Sequence, residues 1–372
     1  MRARTIRRRR AAAALALGAV AAVVGLTGVL RADGDSSRPA FSAGDLPLRE
    51  LSGTRLVAGY DGRKLPRGLR AMIRRGELAG VVLYSENFSG SAGARRLIRR
   101  LQSIRRPRHL RTPLLVMVDQ EGGAVRRLPG PPQPSAQEMG QRGASFSRSQ
   151  GAATARTLAA AVVNVDLAPV LDVARPGSAI GEEMRSFGSS AGTVSATAVA
   201  FADGLQAGGI AATGKHFPGF GAARVNTDFG IAKVGLSKSS LRSVDEPPFQ
   251  DFVAAGGRLV MINSVIYPAF SARPAVLTRS IATDELRDRI GFEGVSVSDD
   301  LQSAALRAFG SPASVGRRAA AAGTDLLLFR HFGGAAQAGA ALRRSLARGG
   351  LARREFVDSA QRVLDLRAAL GG

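Results

Sequence analysis

Ile210-Ala211-Ala212-Thr213-Gly214-Lys215-His216-Phe217-Pro218-Gly219-Phe220-Gly221 opens as an apolar run and ends in a lysine and a histidine set among glycines and a proline. That order reads as a strand whose carboxyl end runs into a ligand-gripping loop. Seven further short apolar runs share its character, and together they place strands at 56–60, 80–84, 114–119, 163–173, 208–216, 258–264, 295–299 and 325–329. Longer patterns rich in Ala, Leu and Arg alternate with them and predict helices at 66–75, 92–104, 149–161, 194–207, 245–255, 283–290 and 303–322, with 335–347 and 353–370 closing the chain. Strand–helix alternation of this kind builds a parallel sheet. Eight such units predict an α/β fold of the (β/α)₈ TIM-barrel type over residues 47–372, with a doubly wound open sheet as the alternative.

The amino terminus has a different composition. Arg7-Arg8-Arg9-Arg10 precedes an uncharged stretch from Ala11 to Leu30, and a polar stretch rich in Asp, Ser and Arg follows. Residues 1–31 therefore read as a signal peptide or a membrane anchor, and 32–46 as a linker. A segment of twenty apolar residues at about 1.5 Å each spans a hydrocarbon core of about 30 Å. Arginines on its amino side would keep that end cytoplasmic, so the body is expected outside the cytoplasm, anchored to the membrane or secreted.

Composition excludes several classes of function. The chain has no cysteine and only three histidines, His109, His216 and His331, so neither a thiolate site nor a multi-histidine metal centre is expected. The formal charge is +23, yet there is no tryptophan and there are only three tyrosines to stack on bases. With no nucleic-acid-binding motif present, a nucleic-acid partner is not expected. The body is expected to be a monomer.

In a barrel of this type the active site lies in the loops after the strands. Polar residues collect there. Asp119-Gln120-Glu121-Gly122-Gly123 ends strand three with Arg126-Arg127 on the same loop; Arg185-Ser186-Phe187 follows strand four; Lys215-His216 ends strand five; and Asp299-Asp300 follows strand seven. Paired glycines permit close backbone approach, and a carboxylate beside an arginine can grip sugar hydroxyls. Of the two adjacent aspartates, Asp300 is expected to cap a helix beginning near Leu301 and Asp299 to face the pocket.

Taken in order, Asp119-Gln120-Glu121-Gly122-Gly123 with Arg127-Leu128, Arg185-Ser186-Phe187, Lys215-His216-Phe217-Pro218-Gly219 and Gly291-Phe292-Glu293-Gly294 leading to Ser298-Asp299-Asp300-Leu301 resemble the amino-terminal barrel of glycoside hydrolase family 3. The bacterial single-domain β-N-acetylhexosaminidases are the branch the chain is most similar to. The resemblance implies an exported retaining hydrolase, working without metal or organic cofactor, that removes terminal β-linked N-acetylhexosamine, in particular N-acetylglucosamine, from glycans such as cell-wall fragments. It implies Asp299 as the nucleophile of a covalent glycosyl-enzyme, and Asp119, Arg127, Arg185, Lys215 and His216 as substrate-binding residues.

One motif departs from the family. The branch places an acid/base histidine on the loop after strand five, with an aspartate two residues before it, where this chain has Asp228 and Asn226. Phe220, Ser264 and Ser303 also replace two histidines and a methionine usual in the family. Three readings follow. Asp228 serves as the acid/base in place of the histidine; the chain is a catalytically silent sugar-binding homologue; or it acts on another sugar or acceptor.

Overall fold

The computed structural model describes residues 42–371, so the segment 1–31 and most of the expected linker lie outside the described residues. The eight expected strands are all present, as β1 (Leu56–Ala58), β2 (Gly80–Val82), β3 (Leu115–Val118), β4 (Val165–Asp166), β5 (Ala211–Phe217), β6 (Leu259–Ile262), β7 (Val295–Ser298) and β8 (Leu327–Phe329). They pair in parallel in the order β8-β1-β2-β3-β4-β5-β6-β7. The two ends of that order also meet. Leu326 N–H donates to Ser296 O and Ser298 N–H to Leu326 O, each at 2.8 Å, and Val297 bridges Leu326 in parallel. The sheet therefore closes into a (β/α)₈ barrel, which removes the open-sheet alternative.

Alternation along the short strands separates two cores, as the period of two requires. Val57, Val82, Met117, Val165, Met261 and Val297 point into the barrel, while neighbours such as Val116 and Val260 face the helices. The last helix, Arg353–Ala369, packs Val363 and Leu366 into the interior cluster and so closes the barrel floor, at the end opposite the βα loops. Ala43 N–H donates to Gln361 Oε1 of this helix at 2.8 Å, and Ala43 and Leu46 are buried. The packed body thus takes in residues that composition had placed in the linker.

Other differences have local causes. The expected fourth strand, 163–173, is a regular strand only at Val165–Asp166, because Pro169 has no N–H to give the ladder. Beyond it the chain holds on through single bonds, such as Thr213 N–H to Ala168 O at 2.8 Å. The helix expected at 303–322 is broken by Gly310, at φ 127°, into a 3₁₀ segment Ala304–Phe309 and an α-helix Pro312–Ala322 capped by Ser311. The segment Ser280–Arg289 and the turn Leu241–Asp245 are π-helical. A small antiparallel hairpin, Gln120–Gly122 with Val125–Arg126, escaped the sequence reading.

The β7–β8 seam is completed by side chains. Fully buried Asp325 accepts from Ser296 N–H at 2.9 Å and from Arg362 Nη2 at 2.8 Å, and it pairs with Arg287. Burial disfavours its ionised form, yet Arg287 and Arg362 together hold its carboxyl below the usual carboxylate range. Removing the carboxylate would leave two guanidiniums without their partner. Asp325→Ala is expected to cost about 3–5 kcal/mol, measured by urea denaturation. Because the folded pKa lies below the unfolded one, this stability is present above about pH 4 and fades as pH falls further. A loss under 1 kcal/mol at neutral pH would show that the seam does not depend on this residue.

Candidate active site

The βα loops enclose a cavity of about 840 Å³ at the carboxyl ends of the strands. All seven residues singled out from the sequence line it: Asp119, Arg127, Arg185, Lys215, His216, Asp228 and Asp299. Each arrives from a different local device.

The loop after β3 turns back at once as the hairpin, and Gln120 pins it by accepting from Arg127 N–H at 2.9 Å and Leu128 N–H at 3.0 Å. Gly122, at φ 110°, is required there, since a Cβ would stand 2.2 Å from the Pro134 carbonyl oxygen. Neighbouring residues of a strand face opposite sides, so only one of the two arginines reaches the pocket. Arg127 does so and donates to Asp119 Oδ2 at 3.2 Å. Arg126 turns away and ties the loop to itself through Gly123 O at 2.9 Å and Gly130 O at 3.2 Å.

Strand β5 delivers two side chains side by side. Its register with β6 shifts between Lys215 and Phe217, a bulge that lets consecutive residues serve the same pocket. Lys215 Nζ, only 2% exposed, lies 2.9 Å from Asp119 Oδ1 and 2.6 Å from Glu121 Oε1. Arg185 meets Glu121 with two parallel bonds of 2.8 Å and reaches Glu183 at 3.0 Å. The wall is a chain of alternating charges, Arg127–Asp119–Lys215–Glu121–Arg185–Glu183. Burial alone would raise the Asp119 and Glu121 carboxyls, but Lys215 with Arg127 or Arg185 holds both below the usual range. Burial would likewise lower Lys215, and Asp119 and Glu121 raise it instead. Asp119, Glu121 and Lys215 are therefore charged at neutral pH.

His216 is oriented from behind. Its Nδ1 lies 2.7 Å from Asp172 Oδ2, and the other oxygen of this buried carboxylate accepts from the backbone N–H groups of His216 at 3.1 Å and Phe220 at 2.7 Å. A carboxylate on Nδ1 fixes the proton there and leaves Nε2 for the cavity. The Phe220 ring packs edge-on against the imidazole, with centroids 5.7 Å apart. A phenyl thus packs where the resemblance implies a second imidazole.

The opposite side of the cavity carries Asp299 and Asp228. Asp299 N–H donates to Ile262 O at 2.9 Å, which fixes the residue to the end of β6, and its Oδ1 accepts from Asp300 N–H at 2.8 Å. Asp300 caps a turn where a helix was expected, accepting from Gln302 N–H at 2.9 Å, and also takes Arg330 N–H of the next loop at 3.0 Å. Burial foremost, with Asp299 beside it, pushes its pKa up to about 6. Asp228 comes from the long β5 loop, which is clamped at two points. Asn226 Nδ2 donates to Glu183 Oε1 at 2.9 Å, and Ala305 N–H, from the segment after β7, donates to Thr227 O at 3.1 Å. Asn226 Oδ1 also accepts Asp228 N–H at 3.0 Å. Burial, and next the charge of Asp299, raise the Asp228 pKa above its ordinary value.

Sequence reading passed over the roles of Glu121 and Asp172. Each had a signal: an acid inside a motif already quoted, and an acid inside the apolar run Pro169-Val170-Leu171-Asp172-Val173, where a buried charge demands a partner. Tyr84, Arg307 and Arg330, on the far rim, had none.

Comparison with known proteins follows the same lines. The family model described as "Glycosyl hydrolase family 3 N terminal domain" matches residues 48–366. An "Uncharacterized secreted glycosyl hydrolase" of Arthroderma benhamiae is 34% identical over 337 residues, covering 87% of this chain and 94% of its own. A "Beta-hexosaminidase" of Nitrosomonas eutropha is 33% identical over 283 residues, with 73% and 79% covered. Among solved structures, a β-N-acetylglucosaminidase from Paenibacillus sp. str. FPU-7 superposes with a TM-score of 0.83 at 30% identity, over 88% of this chain and 64% of that one. The present chain therefore spans slightly less than two thirds of that enzyme.

Proposed function

Because the chain belongs to glycosyl hydrolase family 3, we propose that this glycoside hydrolase is an exported enzyme that removes terminal β-linked N-acetylhexosamine with retention of configuration. One observation supports the assignment above the others. Two carboxylates, Asp299 and Asp228, share one cavity with a wall of ion-paired hydrogen-bonding groups, and the environment raises the proton affinity of Asp228.

Retaining hydrolysis needs a nucleophile and an acid/base. In the proposed reaction Asp228 donates its proton to the glycosidic oxygen while the Asp299 carboxylate attacks the anomeric carbon. The bond to the aglycone breaks, the aglycone leaves carrying that proton, and the sugar remains esterified to Asp299. Asp228, now ionised, then accepts a proton from an incoming water, which attacks the same carbon and releases Asp299. Asp119, Arg127, Arg185, Lys215 and His216 bind the sugar hydroxyls throughout. The replacement of a histidine–aspartate pair by Asp228 with Asn226 is chemically consistent, since a carboxylic acid needs no anion to tune it. Asn226 instead orients the loop through Glu183 and Asp228 N–H.

Export rests on the arginine block and apolar run of residues 7–30. An extracytoplasmic hexosaminidase would meet fragments of cell-wall glycan, the natural substrate class proposed here. The direct test is hydrolysis of an aryl β-N-acetylglucosaminide, followed by mass spectrometry after exposure to a fluorinated sugar. Release of the phenol and a sugar-sized mass increment are expected. Binding of N-acetylglucosamine with neither turnover nor a trapped adduct would leave a sugar-binding homologue in its place.

A further inference from the structure

Between Asn87 and Val118 the chain has no acidic residue, and eight arginines fall within residues 95–111. The structure sorts them. Arg106 is buried and donates to main-chain carbonyls, including Leu110 O at 3.2 Å and Gln102 O at 3.1 Å, so it holds the turn together. The other seven are exposed.

Four of these, Arg95, Arg96, Arg99 and Arg100, form the outer face of the helix Gly90–Gln102, whose inner face buries Ala94, Ile98 and Leu101. The remaining three, Arg105, Arg108 and Arg111, stand on the turn that leads into β3, at the floor end of the barrel. The preceding helix, Arg67–Arg74, lies next in order round the barrel and adds exposed Arg67, Arg70 and Arg74. Among the described residues none of these ten guanidiniums is paired with a carboxylate; the nearby acids Glu50 and Glu77 are engaged by His109, Arg49 and Arg75. Such a concentration of like charge is unfavourable to the folded chain by itself. Nothing in the hydrolytic site uses it.

We propose that this arginine face is a docking surface for an anionic phospholipid bilayer. Guanidinium matches phosphate with two parallel hydrogen bonds, and basic residues held at a lipid surface each add to the attraction. The surface lacks what other polyanion partners use, since residues 89–118 contain no Phe, Tyr or Trp on which a base could stack. Its position agrees with a planar partner beneath the body. The arginine-bearing turn is fastened to the floor helix, where Arg367 donates to Thr112 O at 2.7 Å and to Pro113 O at 2.9 Å. The same helix receives the start of the described chain through the Ala43–Gln361 bond. Only twelve residues of sequence, 31–42, separate that point from the apolar run ending at Leu30. At up to about 3.3–3.6 Å per residue they reach no further than about 40–45 Å. In this proposal the turn carrying Arg105, Arg108 and Arg111, together with the outer face of the helix Gly90–Gln102, is the surface that meets the lipid headgroups.

Absence of cysteine makes a single-site label specific. Ser103→Cys, within the basic face, would carry an environment-sensitive fluorophore in the full-length chain; Ser243→Cys, between β5 and β6, would serve as the control site. With vesicles of phosphatidylcholine containing about a third phosphatidylglycerol, the label at 103 is expected to shift towards an apolar environment, and the label at 243 to stay unchanged. Salt should reverse the shift. Vesicles of phosphatidylcholine alone should not produce it. The variant R95Q/R96Q/R99Q/R100Q should lose it while keeping its circular dichroism spectrum and its hydrolysis of a small aryl glycoside. An equal shift on neutral vesicles, or an unchanged shift in the four-arginine variant, would overturn the proposal. So would a shift produced only by an anionic polysaccharide or DNA.

Discussion

Asp299→Ala is expected to lower kcat for an aryl β-N-acetylglucosaminide by about 10⁴-fold or more, the scale on which loss of a covalent nucleophile registers. The fold should survive. Among the described residues Asp299 contributes its carboxylate to no ion pair, and its bond to Ile262 O is made by the main chain, which alanine retains. Substrate binding should change far less than turnover, because the ion-paired wall stands on other strands. A fluorinated sugar should label Asp299 in the wild type and nothing in the variant. Azide should restore partial turnover by entering the vacated space, and its product should be the glycosyl azide of inverted configuration. Activity within tenfold of wild type would move the nucleophile elsewhere.

Asp228→Asn is expected to produce the next largest loss, about 10²–10⁴-fold for substrates whose leaving group needs a proton. An activated aryl leaving group departs without help, so its first step should suffer much less. The pH profile separates this from a merely structural effect. Burial and the Asp299 charge raise the folded pKa of Asp228, so the protonated acid persists to higher pH than an ordinary aspartate would. Activity should fall as pH rises through that pKa, and the asparagine variant should lose the descending limb. If the limb remains, the acid is another group. Asp300, with a pKa of about 6 and a place on the same cavity, is then the residue to test.

The barrel was legible in the sequence because each strand is an apolar run bounded by a helix with a different period. Legibility failed where one residue breaks a run, as Pro169 ends regular pairing in β4 and Gly310 divides a helix. The candidate site was legible for a related reason: polar residues at the ends of apolar strands can face only the barrel mouth. What stayed hidden was the counter-charge. Asp172 and Glu121 are fixed by partners 44 and 64 residues away, His216 and Arg185, and no local pattern announces such a pairing. The two arginines at 126 and 127 look alike in sequence and differ only in which side of a hairpin they occupy.

The chain of ion pairs along the cavity wall has one more consequence. Three cations, Arg127, Lys215 and Arg185, face three anions, Asp119, Glu121 and Glu183, and every cation already has a carboxylate partner. A wall of that kind has no spare charge to offer. Neutral hydroxyls can insert as donors and acceptors without disturbing it, whereas a uronate set against this wall would compete with a carboxylate already paired to Arg127, Lys215 or Arg185. If these residues bind the sugar as proposed, the wall favours an uncharged sugar over its acidic counterpart by electroneutrality, through repulsion of the wrong ligand as much as attraction of the right one.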